Sequence, residues 1–188
     1  MALAHANDSV LMVVDLQPSF MAPMPGRDEV VMRARFLVQV AAAMNVPILA
    51  TEQVPARMGH TDERILEVLP ATATVFPKTA FSAWRATGVD LELRKMRRKQ
   101  VVLVGAETHI CVTQTAHDLI EHGFQVVLAT DAITGRGAET RRTALQRMAA
   151  IGCIESHTES VTYEWLESSE HAAFKTVLGL VKAAALSG

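Results

Sequence analysis

Short apolar runs recur along this chain, and most are followed by a segment whose apolar residues fall three and four places apart. The runs at 9–14, 46–50, 73–76, 101–104, 124–129 and 152–155 have the length of buried strands. Val101-Val102-Leu103-Val104 is the plainest: four branched apolar residues in a row read as a strand buried on both faces, and Gly105 ends it. Helical spacing follows at 29–44, where Val30, Val31, Ala34, Leu37, Val38 and Ala41 form one stripe and Asn45 caps the end. It recurs at 64–69, at 88–98 (Val89, Leu91, Leu93, Met96) and at 110–122 (Ile110, Thr113, Ala116, His117, Ile120). Two further helices are expected at 139–150 and at 171–186, the latter carrying Phe174, Val177, Leu178 and Val181. Pro25-Gly26 marks a loop, 51–61 is a loop broken by Pro55 and Gly59, and 130–137 reads as loop. The basic end of the 88–98 helix, Arg94, Lys95, Arg97, Arg98 and Lys99, suits a helix C-terminus.

Strands alternating with helices predict an α/β protein with three αβα layers. The expected core is a Rossmann-like, doubly wound, six-stranded parallel sheet of order 3-2-1-4-5-6, with right-handed crossovers. The 188 residues fit one domain, 1–188, with no repeat or linker. Hydrophobic residues make up 49% and charged residues 20%, which excludes a disordered chain. A net charge of −2 gives no electrostatic case for nucleic acid or an anionic membrane. No apolar run is long enough to span a bilayer, and 1–8 lacks the basic and apolar regions of a signal peptide, so it reads as a polar lead-in to a cytoplasmic protein. The mean hydropathy of +0.19 suggests more apolar surface than a monomer needs, and so a homo-oligomer. The two cysteines, Cys111 and Cys153, make neither a disulfide framework nor a zinc pair. Cys153 reads as structural, inside a strand.

Three strand ends each carry an unusual residue: Asp15 after the first, Lys78 after the third, Cys111 after the fourth. Taken singly, Asp15 could cap a turn, Lys78 could be solvated and Cys111 could be a small core residue. In a doubly wound sheet, however, strands one and four are neighbours where the order reverses, and ligands bind outside the carboxyl ends there. A carboxylate, an ammonium and a thiol would then share one crevice. The ammonium and the start of the helix near Ile110 should bring the thiol below its usual value of about 8.5, with Asp15 opposing them. The carboxylate could carry a proton from thiol to leaving group.

The stretches Asp15-Leu-Gln-Pro-Ser-Phe20, Thr51-Glu-Gln-Val-Pro55, Phe76-Pro-Lys78 with Phe81-Ser-Ala83, Gly105-Ala-Glu-Thr-His-Ile-Cys-Val112 and Asp131-Ala132 resemble the cysteine-hydrolase branch of the isochorismatase-like superfamily. The resemblance covers nearly the whole chain. It implies an Asp–Lys–Cys triad at Asp15, Lys78 and Cys111, and a cis peptide at Ala106–Glu107. It also implies an oxyanion hole from the backbone N–H groups of Glu107 and Cys111. Isochorismatases proper lack the cysteine, so Cys111 favours acyl transfer from a small-molecule amide or related C–N bond. Nicotinamidases carry an Asp-x-His metal cluster after the second strand; Thr51-Glu52-Gln53-Val54-Pro55 holds none, and His60 stands alone, so neither metal nor other cofactor is expected. Gln17, Phe20, Gln53, Phe81 and Trp84 are candidate pocket residues, with ordinary loop packing as the alternative. Gly135-Arg136-Gly137 and Lys78-Thr79 echo nucleotide-binding motifs but lack the other glycines. His109, His117, His122 and His157 show no metal-ligand spacing. Two rival readings remain: a catalytically silent binding or scaffold member of the family, and a thiol redox sensor.

Overall fold

The computed structural model describes residues 3–185. Six strands, β1 Ser9–Val14, β2 Ile48–Gln53, β3 Thr74–Lys78, β4 Gln100–Ala106, β5 Gln125–Thr134 and β6 Ile154–Ser156, form one sheet in the order β3-β2-β1-β4-β5-β6. Every pairing is parallel. The helices are α1 Pro18–Met21, α2 Arg27–Ala43, α3 Pro55–Met58, α4 Glu63–Leu66, α5 Val89–Met96, α6 Thr113–Glu121, α7 Ala138–Ala150, α8 Thr158–Leu166 and α9 Phe174–Ala185. Each face of the sheet carries a core: Leu11, Val13, Val102 and Val104 face α2, α8 and α9, while Val10, Met12, Val101 and Leu103 face α5, α6 and α7. The expected order 3-2-1-4-5-6 is therefore the observed one. No helix among the described residues is long and apolar enough to cross a membrane.

Several boundaries move. The fourth strand does not stop at Gly105 but runs on through Ala106. Gly105 sits at φ +131, and a Cβ there would lie 2.0 Å from the Val14 carbonyl oxygen, so glycine is what lets β4 lie flush against the end of β1. The segment 130–137 is mostly strand: β5 continues to Thr134, rejoining β4 after a register shift between Leu103 and Gly105. The third strand passes through Pro77 to Lys78, which is possible because β3 is the sheet edge. The short helix expected at 64–69 is a single turn, α4. The expected C-terminal helix starts at Phe174, a separate helix α8 precedes it, and Leu186 lies outside the described residues.

Ala4 and His5, ahead of β1, are tied to the body of the fold. Ala4 is fully buried, its N–H donates to the Glu164 carboxylate, and the His5 N–H donates to Gln100 Oε1. Cys153 lies just before β6, not within it, and is buried. On α6 the buried residues are Thr113, Thr115, Ala116, Asp118 and Leu119, while His117 and Ile120, like Ile110 in the turn before it, are only half-buried.

Candidate active site

The carboxyl ends of β1, β3 and β4 bring Asp15, Lys78 and Cys111 together. Asp15 follows β1 directly, in a left-handed turn with φ +51 that aspartate tolerates better than most residues. Its N–H donates to the Thr51 carbonyl at 3.1 Å, and its Oδ1 accepts from Thr51 Oγ1 at 2.8 Å. Lys78 Nζ lies 2.7 Å from Asp15 Oδ2, with both side chains inaccessible to solvent. That contact is an ion pair off the hydrogen-bond direction, because Oδ2 has no aligned donor. The same ammonium donates to Gln53 Oε1 at 2.5 Å, to the Phe81 carbonyl at 2.9 Å and to the Ala80 carbonyl at 3.1 Å, and stands 3.6 Å from Cys111 Sγ.

Cys111 is not in the first turn of an ordinary α-helix. After β4 the chain passes a cis Ala106–Glu107 bond and winds one wide π turn, Thr108–Val112, before α6 begins. Thr113 Oγ1 closes this turn onto the Thr108 carbonyl at 2.6 Å, and Thr115 Oγ1 holds the Cys111 carbonyl at 2.6 Å. Cys111 is 1% exposed. Burial, reinforced by the Asp15 charge and only partly offset by Lys78, pushes the Cys111 thiol up to about 12. This corrects the expectation of a lowered value. The cation that should have acidified the thiol is already engaged with Asp15, and the thiol is out of water. Burial likewise raises Asp15 from its ordinary range against the pull of Lys78. The raised value favours the thiol in the resting site, with Asp15 and Lys78 as its charged neighbours.

The structure divides the five candidate pocket residues. Gln17 and Gln53 are committed to each other. The Gln53 N–H donates to Gln17 Oε1 at 2.7 Å, and Gln17 Nε2 donates to the Gln53 and Gly59 carbonyls at 3.1 and 2.6 Å. Phe20 is partly buried against the core. The Phe81 ring is half out in solvent, at 53% exposure, while its carbonyl faces Lys78. Trp84 packs on His122 and Phe124, just beyond the C-terminal end of α6. Two partners escaped the sequence reading. Thr51 lies beside Val14 in the β1–β2 register, which aims its hydroxyl at Asp15. Arg136 donates from Nε to Glu107 Oε2 at 2.8 Å, so the Gly135-Arg136-Gly137 segment braces the turn that leads to the thiol. His60 bonds Glu52 at 3.0 Å and is exposed. Among the described residues no group of three or more His, Cys, Asp or Glu side chains is placed to hold a metal ion.

Comparison with known proteins gives a consistent result. The isochorismatase domain model matches residues 9–160. Isochorismatase domain-containing protein 2 of Bos taurus is 35% identical over 176 residues, covering 94% of this chain and 84% of that protein. Isochorismatase family protein 1A of Dictyostelium discoideum is 29% identical over 177 residues, covering 93% and 86%. Among solved structures, the one described as MAR1 ribonuclease from Caenorhabditis elegans aligns with a TM-score of 0.92 at 32% identity, covering 96% of this chain and 93% of that one.

Proposed function

This chain belongs to the isochorismatase family, and we propose that it is a cysteine hydrolase that cleaves an amide-type C–N bond of a small molecule. The observation that carries the reading is the buried contact chain from Asp15 through Lys78 to Cys111, at 2.7 and 3.6 Å. Cys111 Sγ attacks the carbonyl carbon as its proton passes to Asp15, so the raised thiol need not ionise in advance. The backbone N–H groups of Glu107 and Cys111 receive the developing oxyanion. Asp15 returns the proton to the leaving nitrogen as the C–N bond breaks, leaving a thioester. Water then gives a proton to Asp15 and attacks the thioester; the carboxylic acid leaves and the thiol is restored. Lys78 stays charged throughout and balances whichever of the two anions is present. No step calls for a metal or other cofactor.

Burial also weighs against the redox-sensor reading, because sensor thiols are acidic and exposed. The name of the nematode relative raises RNA as a substrate. A net charge of −2 and a site below the surface fit a small molecule better than a polyanion. The reading places the protein in a cytoplasm, where two free thiols persist. It takes the protein as a homo-oligomer, so a sedimentation mass near 20.4 kDa at micromolar concentration would contradict that part. The test of the chemistry is a panel of small amides with mass spectrometry of the stopped reaction. Turnover with an acyl adduct on Cys111 is expected; no turnover on any amide, or an adduct on Cys153, overturns the assignment.

A further inference from the structure

Gln53 ends β2, and its side chain reaches Lys78, which stands beside Cys111. Its amide has one acceptor end and one donor end, and both are used. Oε1 accepts from Lys78 Nζ at 2.5 Å, and Nε2 donates to the Thr79 carbonyl at 3.0 Å. Flipping the amide would face its NH2 group toward the ammonium and its oxygen toward a carbonyl, so the network permits only this orientation. Gln17 in turn pairs both ways with the backbone of residue 53 and fixes the strand end that carries the amide.

An ammonium has three N–H donors. Around Lys78 Nζ stand the Gln53, Ala80 and Phe81 oxygens, Asp15 Oδ2, and Cys111 Sγ. Five acceptors compete for three protons, and Gln53 makes the shortest contact. Asp15 Oδ2 is left with an ion pair not aligned as a hydrogen bond, and the sulfur with the longest hydrogen bond of the set, at 3.6 Å.

We propose that Gln53 is a positioning residue: its amide oxygen pins one N–H of Lys78 and so limits how much of the ammonium's charge reaches the Cys111 sulfur. Release that N–H and it can strengthen the ammonium's other contacts at the site, the unaligned ion pair to Asp15 Oδ2 and the long hydrogen bond to Sγ. Either destination favours the thiolate, directly at sulfur or by neutralising the carboxylate that opposes it. Replace the amide oxygen by a carboxylate and the effect reverses, because a second anion then holds the ammonium. The charged and titratable groups near the sulfur are few. Asp15 comes from the end of β1 and Lys78 from β3. The Glu107–Arg136 pair and His109 lie in and beside the turn that carries the thiol, and His117 and the Asp118–Arg85 pair lie on or against α6. Only Lys78 bonds Gln53 among them.

The proposal rests on Cys111 being the working thiol, but its test needs no turnover, so an inactive enzyme leaves it decidable. The experiment is alkylation of the full chain by iodoacetamide at one fixed pH below the thiol's range, followed by peptide mass spectrometry. Cys153 in the same molecule reports any general loosening. Gln53→Leu should alkylate at Cys111 about tenfold faster than wild type, and Gln53→Glu about tenfold slower; each is one pH unit in thiolate fraction. Gln53→Asn, too short to reach both Nζ and the Thr79 carbonyl, should move in the direction of Gln53→Leu and stands in for it if that variant does not fold. Opposite shifts at Cys111 with Cys153 unchanged support the proposal. Shifts of the same sign, parallel acceleration at Cys153, or equal rates in all proteins, including no reaction in any, overturn it.

Discussion

The two cysteines of this chain share one hydrophobic cluster, at 1% and 4% exposure, and both thiols are pushed up to about 12. The causes are different. Around Cys153, between α7 and β6, burial acts alone. Around Cys111 burial is again the largest cause, but an anion pushes the same way and a cation pulls back. An identical resting value therefore hides unlike chemistry. At Cys153 no charged group among the described residues contributes to the shift. The other thiol has a carboxylate to receive the proton and an ammonium to balance the charge that results. Burial sets the value, and the neighbours decide whether the proton has somewhere to go.

The largest effect expected separates the two sites outright. Cys111→Ala should lower turnover of any substrate the amide panel finds by several orders of magnitude, since the atom that forms the intermediate is gone. Cys153→Ala should stay within about twofold of wild type, as a core change far from chemistry. Comparable losses in both variants, read as kcat/KM, would break the comparison. The next effect is on stability. Lys78→Met leaves the Asp15 carboxylate buried without its cation and should cost about 3–5 kcal/mol in urea denaturation. The loss should shrink in acid, because the unpaired carboxyl holds its proton more tightly in the folded chain than in the unfolded one. A variant as stable as wild type at neutral pH would show that the pair contributes nothing. Among the described residues no charged group shifts the Cys153 thiol, so no such removal is available there.

How much of this was legible depends on the kind of signal. The sheet order follows from apolar runs alternating with helical spacing, and the convergence of Asp15, Lys78 and Cys111 follows from that order. Periodicity is blind to backbone exceptions. Nothing in a pattern of apolar residues reveals that Gly105 continues a strand, that β5 runs on through Thr130 and Asp131, or that Cys111 rides a π turn. It is equally blind to side-chain direction. Gln53 and Trp84 lie in or beside matching stretches, yet one amide turns toward Lys78 and the indole stacks on His122. The sign of the thiol's shift was missed for a related reason. Sequence places a cation near the sulfur, but only geometry shows that the cation is already spent on Asp15 and three other oxygens.

A third measurement tests the part of the comparison in which the two sites agree. Both thiols rise from 9.0 to about 12 on folding, so between those values the folded chain holds protons that the unfolded chain has released. Stability is then unaffected by these groups below pH 9.0 and falls as pH rises through the window, by about 1.4 kcal/mol per pH unit for each thiol. Removing either one should flatten the alkaline loss by the same amount in denaturation series on Cys111→Ala and Cys153→Ala. Unequal flattening would mean that the two thiols do not rest at the same value.

The smallest effect is the sharpest probe of the surroundings. Serine keeps nearly the shape of cysteine but must find hydrogen bonds when buried. At position 153 burial is the only influence on the thiol, so Cys153→Ser should cost about 1–2 kcal/mol for a hydroxyl without partners. At position 111 the hydroxyl meets the Asp15 carboxylate and the Lys78 ammonium, which already face the sulfur. Cys111→Ser should therefore fold with close to wild-type stability while losing the nucleophile. The check is a pair of urea midpoints under one buffer. A Cys111→Ser variant destabilised as much as Cys153→Ser would mean that the polar groups around position 111 are too firmly committed to one another to accept a new partner. That outcome would leave the two thiols differing in location and not in chemistry.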